Sequence, residues 1–211
     1  MNDNATNKPV RYSRANRDTK LAFFQGFLRR PQTVGSVIPS SRFLERRILK
    51  YADIGRNDVI VELGPGTGGT TQALLNELGP GGRLLSIEVE AEFVDLLREI
   101  DDPRLIPHHG SAENISEILK SHGLGPPDIV ISGIPFSTMP DEVGRRIVRE
   151  IHHVLPQGKS FVAYQLRDRV AELATPVFGK PKVSLELINI PPMRVWKWTV
   201  GDKSVPVRET A

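Results

Sequence analysis

The chain predicts an α/β fold: a mostly parallel, seven-stranded sheet with helices on both faces, closed by an antiparallel hairpin. Three observations carry this. Between residues 58 and 166 short β-branched or aliphatic runs alternate with helical patterns, which marks βα units of a parallel sheet. The first run, Val59 to Leu63, enters a glycine-rich turn (Gly64, Gly66, Gly68, Gly69) that leads straight into a helical pattern. Past residue 182 the alternation stops, and two strand-like runs, 183–190 and 195–200, flank Pro191-Pro192.

Taken in order, residues 1–18 are polar, with Lys8, Arg11, Arg14 and Arg17 spaced by three, and are expected to be mobile or helical only when bound. Residues 20–30 put Leu21, Phe24 and Leu28 on one helical face, with Phe23 and Phe27 beside them and Lys20, Arg29 and Arg30 at the flanks. Such a helix suits either the interface of an anionic bilayer or packing on the domain as a core helix. Pro31 ends it. The small-residue stretch 32–41, which contains Ser36, reads as a lid over the first strand or as a plain helix-helix connection.

A helix at about 41–52 follows, capped by Ser40 or Ser41. Then come strand 58–63, helix 69–78, the turn Gly79-Pro80-Gly81-Gly82, strand 83–87, helix 90–99 and strand 104–108. A short helix near 113–121, strand 128–132, helix 141–154, strand 160–166 and a brief helical segment at 168–174 complete the alternation. The expected organisation is a basic arm and lid at 1–40, one domain at 41–200 and a frayed tail at 201–211.

Composition narrows the chemistry. There is no cysteine, so disulfides and thiolate metal sites are excluded, and a reducing compartment is permitted. The five histidines (His108, His109, His122, His152, His153) show no ligand spacing, so no metal is expected. No stretch approaches the ~20 apolar residues of a membrane span, and the polar start has no signal-peptide core. Residues 1–50 hold 11 Lys/Arg against 3 Asp/Glu, a net of +8, while residues 51–211 hold 17 against 22, a net of −5. The partner-facing basic surface is thus the arm.

Ligands of this architecture bind at the carboxyl ends of the strands. Gly64, Gly66 and Gly69 fit a dinucleotide spacing, but Glu62 at the strand end would repel a diphosphate and attract a cation. Glu62-x-Gly64-Pro65-Gly66-x-Gly68 resembles motif I of the class I S-adenosyl-L-methionine-dependent methyltransferases, whose cofactor carries an ammonium and a sulfonium. Glu88, 24 residues after Gly64 and followed by Val89, stands where a carboxylate accepts the ribose hydroxyls. After the third strand, Ser111, Ala112 and Glu113 are where the resemblance places the adenine edge, with Ala112 offering its amide and Ser111 or Glu113 a side chain.

The fourth strand end, Ser132-Gly133-Ile134-Pro135-Phe136, resembles the Asn-x-Pro-Tyr or Asn-x-Pro-Phe segment of enzymes that methylate adenine amines. In those enzymes the Asn accepts from the exocyclic amine and the ring stacks on the base. Here Gly133 replaces the Asn, which removes the amine acceptor and leaves backbone carbonyls and room for a bulkier amine. Tyr164, near the end of Phe161-Val162-Ala163-Tyr164-Gln165, either faces this crevice or packs with its hydroxyl at the rim. Trp196 and Trp198 read as core or sheet surface rather than a ligand cage.

Residues 23–41, the glycine loop, Ser132 to Phe136 and the Pro-Pro-x-x-Val-Trp run ending at Trp196 together resemble the bacterial phospholipid N-methyltransferases, a family similar in its core to the rRNA adenine dimethylases. The resemblance implies stepwise methylation of phosphatidylethanolamine towards phosphatidylcholine by a cytoplasmic enzyme held peripherally on the membrane. It implies an anionic lipid surface as partner of Lys20, Phe23, Phe24, Phe27, Arg29 and Arg30, with Tyr12, Arg14 or Arg17 for the lipid phosphate. Phe136 and Tyr164 would form a cation-π wall for methylated amines. The competing expectation is a nucleic-acid adenine N-methyltransferase using the same arm on phosphates; Gly133 argues against it.

Overall fold

The computed structural model describes residues 41–55, 58–189 and 191–201. The elements are α1 (Arg42–Ala52), β1 (Val59–Leu63), α2 (Gly69–Glu77), β2 (Arg83–Glu88), α3 (Ala91–Arg98), β3 (Leu105–His109), α4 (Ile115–Ser121), β4 (Ile129–Ser132), α5 (Asp141–Val154), β5 (Ser160–Gln165), α6 (Arg169–Phe178), β6 (Lys182–Glu186) and β7 (Met193–Thr199). Short 3-10 turns at Ala112–Asn114 and Phe136–Thr138 precede α4 and α5. The sheet order is β3-β2-β1-β4-β5-β7-β6. Strands β1 to β5 are parallel; β7 runs antiparallel to both β5 and β6.

Side chains alternate across the sheet and so build two cores. Ile60, Ile131, Val162, Tyr164 and Val195 face Leu44, Ile48 and Ala52 of α1 and Leu74 and Leu75 of α2. Val61, Leu63, Val130, Phe161, Ala163, Trp196 and Trp198 face α4, α5 and α6. Both tryptophans are buried, and Trp198 stacks on Phe161 with ring centroids 5.2 Å apart. The α1 helix starts where Ser41 Oγ accepts from Leu44 N at 3.2 Å, and it stops at Asp53, whose φ of 54° breaks the helix. Of the two serines weighed as its cap, Ser41 does the capping and Ser40 lies outside the described residues.

Three expectations change. The run 183–190 is a strand only to Glu186. Beyond it Leu187 and Ile188 continue the apolar pattern but are exposed, and Asn189 donates to the Pro191 carbonyl at 3.0 Å, holding a bend. The segment at 168–174 is a helix that runs on to Phe178 through Pro176, because Val170, Leu173 and Ala174 are buried against the sheet and Phe178 packs on Phe161. The 113–121 helix opens as a 3-10 turn. The arm, Ser36 and residues 202–211 lie outside the described residues, and with them Tyr12, Arg14, Arg17, Lys20, Phe23, Phe24, Phe27, Arg29 and Arg30. Among the described residues no helix is long and apolar enough to cross a membrane.

Candidate active site

The carboxyl ends of β1, β2, β4 and β5 open on a crevice of about 590 Å³, within the range that encloses a small ligand. Its floor is the turn after β1. Gly64, Gly66 and Gly68 have φ of 68°, 54° and 82°, a left-handed region that a side chain disfavours. At Gly64 space is short as well: a Cβ would lie 3.1 Å from the Ile134 side chain. The turn is closed by Gly64 N donating to the Ile87 carbonyl at 3.0 Å and Gly68 N to the Pro65 carbonyl at 3.1 Å. The α2 helix then starts with no side-chain cap, so its first amides face the loop.

Glu88 ends β2 on the crevice wall. Its Oε2 accepts from Gly66 N at 3.1 Å, and its Oε1 from Val89 N at 2.8 Å and Glu90 N at 3.2 Å. Burial pushes its pKa up against the pull of these amides. The carboxylate is thus aimed by the loop it faces, and three amides take three of its four acceptor sites, leaving one on Oε2.

The structure brings most of the expected residues together. Gly64, Pro65, Gly66, Glu88, Val89, Ser111, Ala112, Gly133, Pro135 and Tyr164 all line the crevice. Five do not. Glu62 was expected to face a cationic ligand, but β1 turns its side chain beneath the loop, where it is buried. There Oε2 accepts from Thr71 Oγ1 and Ser86 Oγ, both at 2.7 Å, and Oε1 is buried without a partner. Burial pushes this carboxyl up to about 7. Glu62 thus ties the first turn of α2 to β2. Gly68 supplies the turn and the N-cap of α2 rather than lining.

Glu113 swings to α5, accepting from Arg146 Nε at 2.6 Å, so of the two side chains weighed for the third strand end it is Ser111 that stays at the crevice. Ser132 is buried; its Oγ accepts from Ile134 N at 3.2 Å and fixes the turn at Gly133. Phe136 was expected as an aromatic wall, but its 3-10 turn rotates the ring into the core beneath α5, where it is 1% exposed. The room expected above Gly133 is also filled, by the Tyr164 hydroxyl: a Cβ at Gly133 would stand 2.5 Å from it.

Sequence reading missed Thr70, Gln165 and Met193, which also line the crevice. Thr70 directly follows the glycine loop, and Gln165 directly follows Tyr164, so both were findable. Met193 reaches the site only because β7 returns antiparallel beside β5, which no local pattern encodes. Outside the crevice, His108 Nδ1 meets His122 Nε2 at 2.9 Å across 14 residues.

No family model matches the chain. It is 29% identical over 141 residues to an ornithine lipid N-methyltransferase of Singulisphaera acidiphila, a match covering 66% of this chain and 73% of that protein. It is 35% identical over 96 residues to the ribosomal RNA small subunit methyltransferase A of Phenylobacterium zucineum, covering 44% of this chain but only 32% of that one. Among solved structures, the O-methyltransferase TomG of Streptomyces achromogenes, in complex with S-adenosyl-L-methionine, superposes with a TM-score of 0.67 at 16% identity over 91% of this chain and 92% of that one. The N-methyltransferase NodS of Bradyrhizobium japonicum, in complex with S-adenosyl-L-homocysteine, gives 0.63 at 13% identity over 83% and 97%.

The fold is therefore that of the class I methyltransferases, and S-adenosyl-L-methionine is the cofactor of that fold. The residues present fit it: a loop free of side chains for a close approach, a buried carboxylate in Glu88 to accept from hydroxyls, and an alanine amide with Ser111 at the third strand end.

Proposed function

We propose that this chain is an S-adenosyl-L-methionine-dependent N-methyltransferase whose acceptor is the aliphatic primary amine of a membrane lipid. The substrate is phosphatidylethanolamine with its monomethyl and dimethyl forms, converted towards phosphatidylcholine at the cytoplasmic membrane surface. The observation that carries this reading is the end of β4, where none of the groups that hold a flat base amine is on offer. Position 133 has no side chain. The Ile134 carbonyl already accepts from Gln165 Nε2 and from Phe136 N. The ring of Phe136 is in the core. An acceptor here is held by shape and by hydroxyls, which suits an amine on a flexible chain better than a base edge.

When bound, the cofactor supplies an electrophilic methyl on a sulfonium. The chain's own work is placement. Glu88 and the glycine loop hold the nucleoside, Tyr164 and Thr70 put hydroxyls at the crevice floor, and Ile134, Met139 and Met193 give apolar walls that exclude water. The amine must arrive as its free base, and burial beside a cation lowers its pKa in that direction. The apolar wall also accommodates the growing alkyl load of the second and third transfers.

A second reading has its own support, since the relative that matches most of its length acts on an ornithine lipid. That headgroup also carries an aliphatic amine. The test offers methyl-labelled cofactor with vesicles of phosphatidylethanolamine, vesicles of ornithine lipid, or RNA. Label in phosphatidylethanolamine is expected. Label in ornithine lipid alone moves the assignment to the second reading, and label in RNA with none in either lipid sinks both.

A further inference from the structure

Position 133 does not need glycine for its backbone, since its φ is not among those in the left-handed region. It needs glycine because of its neighbour. The pairing of β4 with β5 sets Ser132 beside Ala163, so Gly133 lies beside Tyr164 one step on. A Cβ at 133 would stand 2.5 Å from the Tyr164 hydroxyl, 2.9 Å from Cζ and 3.1 Å from the Gly64 carbonyl oxygen. The first two are closer than any real Cβ contact, and the ring of Tyr164 is packed between the sheet and α1. A side chain at 133 therefore enters only if the end of Tyr164 shifts.

The displaced function is then visible. The hydroxyl of Tyr164 lies 3.3 Å from Thr70 Oγ1 at the first turn of α2, and both residues line the crevice. Burial, reinforced by the charge of Glu62, holds the phenol protonated at every working pH. Its oxygen thus has one donor and two acceptor positions, of which Thr70 uses one. Resting on the reading above of an aliphatic amine as acceptor, we propose that the Tyr164 hydroxyl, accepting from the amine N–H, is the positioning group for that amine in the transfers to its unmethylated and monomethyl forms. It comes from β5 and stands in the volume that a side chain from β4 would otherwise fill. Gly133 and Tyr164 form a matched pair that sets the acceptor class. The hydroxyl meets a nitrogen at the end of a flexible chain, while a planar base amine, which needs paired in-plane acceptors, finds only one.

The test combines Tyr164→Phe, Gly133→Asn and the double variant Gly133→Asn/Tyr164→Ala, each checked for folding by thermal unfolding and for cofactor affinity by calorimetry. With phosphatidylethanolamine vesicles, Tyr164→Phe is expected to lower kcat about tenfold or more while the cofactor Kd stays within about twofold, the split of a group that acts on the acceptor. Gly133→Asn alone is expected to weaken cofactor binding about tenfold or more through the clash, and the double variant to recover it without recovering lipid methylation. A Tyr164→Phe enzyme with kcat within about twofold of the parent overturns the positioning role. A Gly133→Asn protein that binds cofactor and methylates lipid like the parent overturns the matched pair. Transfer to RNA and none to lipid by the parent removes the lipid-amine reading and the positioning role with it, while the cofactor affinities of the single and double variants still decide the pair.

Discussion

Glu62 and Glu88 stand on the adjacent strands β1 and β2, and only Glu88 reaches the crevice. Glu88 lines the crevice and keeps one acceptor site open, so Glu88→Ala is expected to weaken cofactor binding about tenfold or more by calorimetry, in the range of a lost hydrogen bond to a charged group. Unchanged affinity would mean that its carboxylate serves only the amides of Gly66, Val89 and Glu90. Glu62 is sealed off, and its carboxyl is pushed from 4.5 up to about 7. A carboxyl raised in the folded state favours folding at low pH, because below about 7 the native protein holds a proton that the unfolded chain releases above 4.5. Stability from this group is complete below 4.5 and is lost as pH rises to about 7, a change on the order of 3 kcal/mol. Glu62→Gln keeps one oxygen for Thr71 and Ser86 and places an amide where Oε1 has no partner. Unfolding midpoints measured from pH 4 to 8 should lose that slope in the variant; a slope that persists locates the titration elsewhere. Both residues were legible in the sequence as acidic strand ends. Their division of labour was not, because it depends on the pairing of β1 with β2, which sets Glu62 beside Ser86 and leaves Glu88 two residues further along, at the crevice.

The α1 helix carries the join between the arm and the domain. It is fixed by its apolar face and by Arg47, whose guanidinium donates to Glu186 Oε2 at 2.7 Å and to Ser184 on the edge strand β6. Glu186 is buried, and its other oxygen accepts from Ile188 N at 3.0 Å. Removing the guanidinium strands that carboxylate, so Arg47→Ala should destabilise the fold by about 1–3 kcal/mol in denaturant titration. No change would show that Leu44, Ile48 and Ala52 alone hold the helix. At this scale most periodic elements were readable to within a residue or two, α5 at both ends, while the end of α6 was missed by four residues. The failures had local causes. Leu187 and Ile188 extend an apolar run that tertiary structure does not bury. Phe136 occupies the place of a stacking ring, but the 3-10 turn after Pro135 rotates it inward. Tyr164 was readable only as facing the crevice or packing at its rim, and its claim on the space over Gly133 depends on the β4–β5 register, which no single stretch contains.

Among the described residues, four of the seven large exposed apolar side chains lie at one edge, while Phe43, Val183 and Leu185 lie on α1 and β6. Val89, Leu166, Leu187 and Ile188 are exposed and follow the carboxyl ends of β2, β5 and β6, the edge on which the crevice opens. Ser41 N donates to Asn189 Oδ1 at 3.1 Å, so the net-basic segment that precedes it joins the domain at that same edge. For the proposed membrane partner, Phe23, Phe24 and Phe27 changed together to Ser should release the protein from vesicles containing anionic lipid, by flotation, with cofactor affinity unchanged. Loss of cofactor binding instead would mark those rings as part of the core. The proposed reaction is tested most directly by chromatography of the lipids of a host that makes phosphatidylethanolamine but no N-methylated lipid, before and after it expresses this chain. Methylated phosphatidylethanolamine species that appear with the chain and vanish with Glu88→Ala are the predicted result; an unchanged lipid profile beside methylated RNA would contradict it.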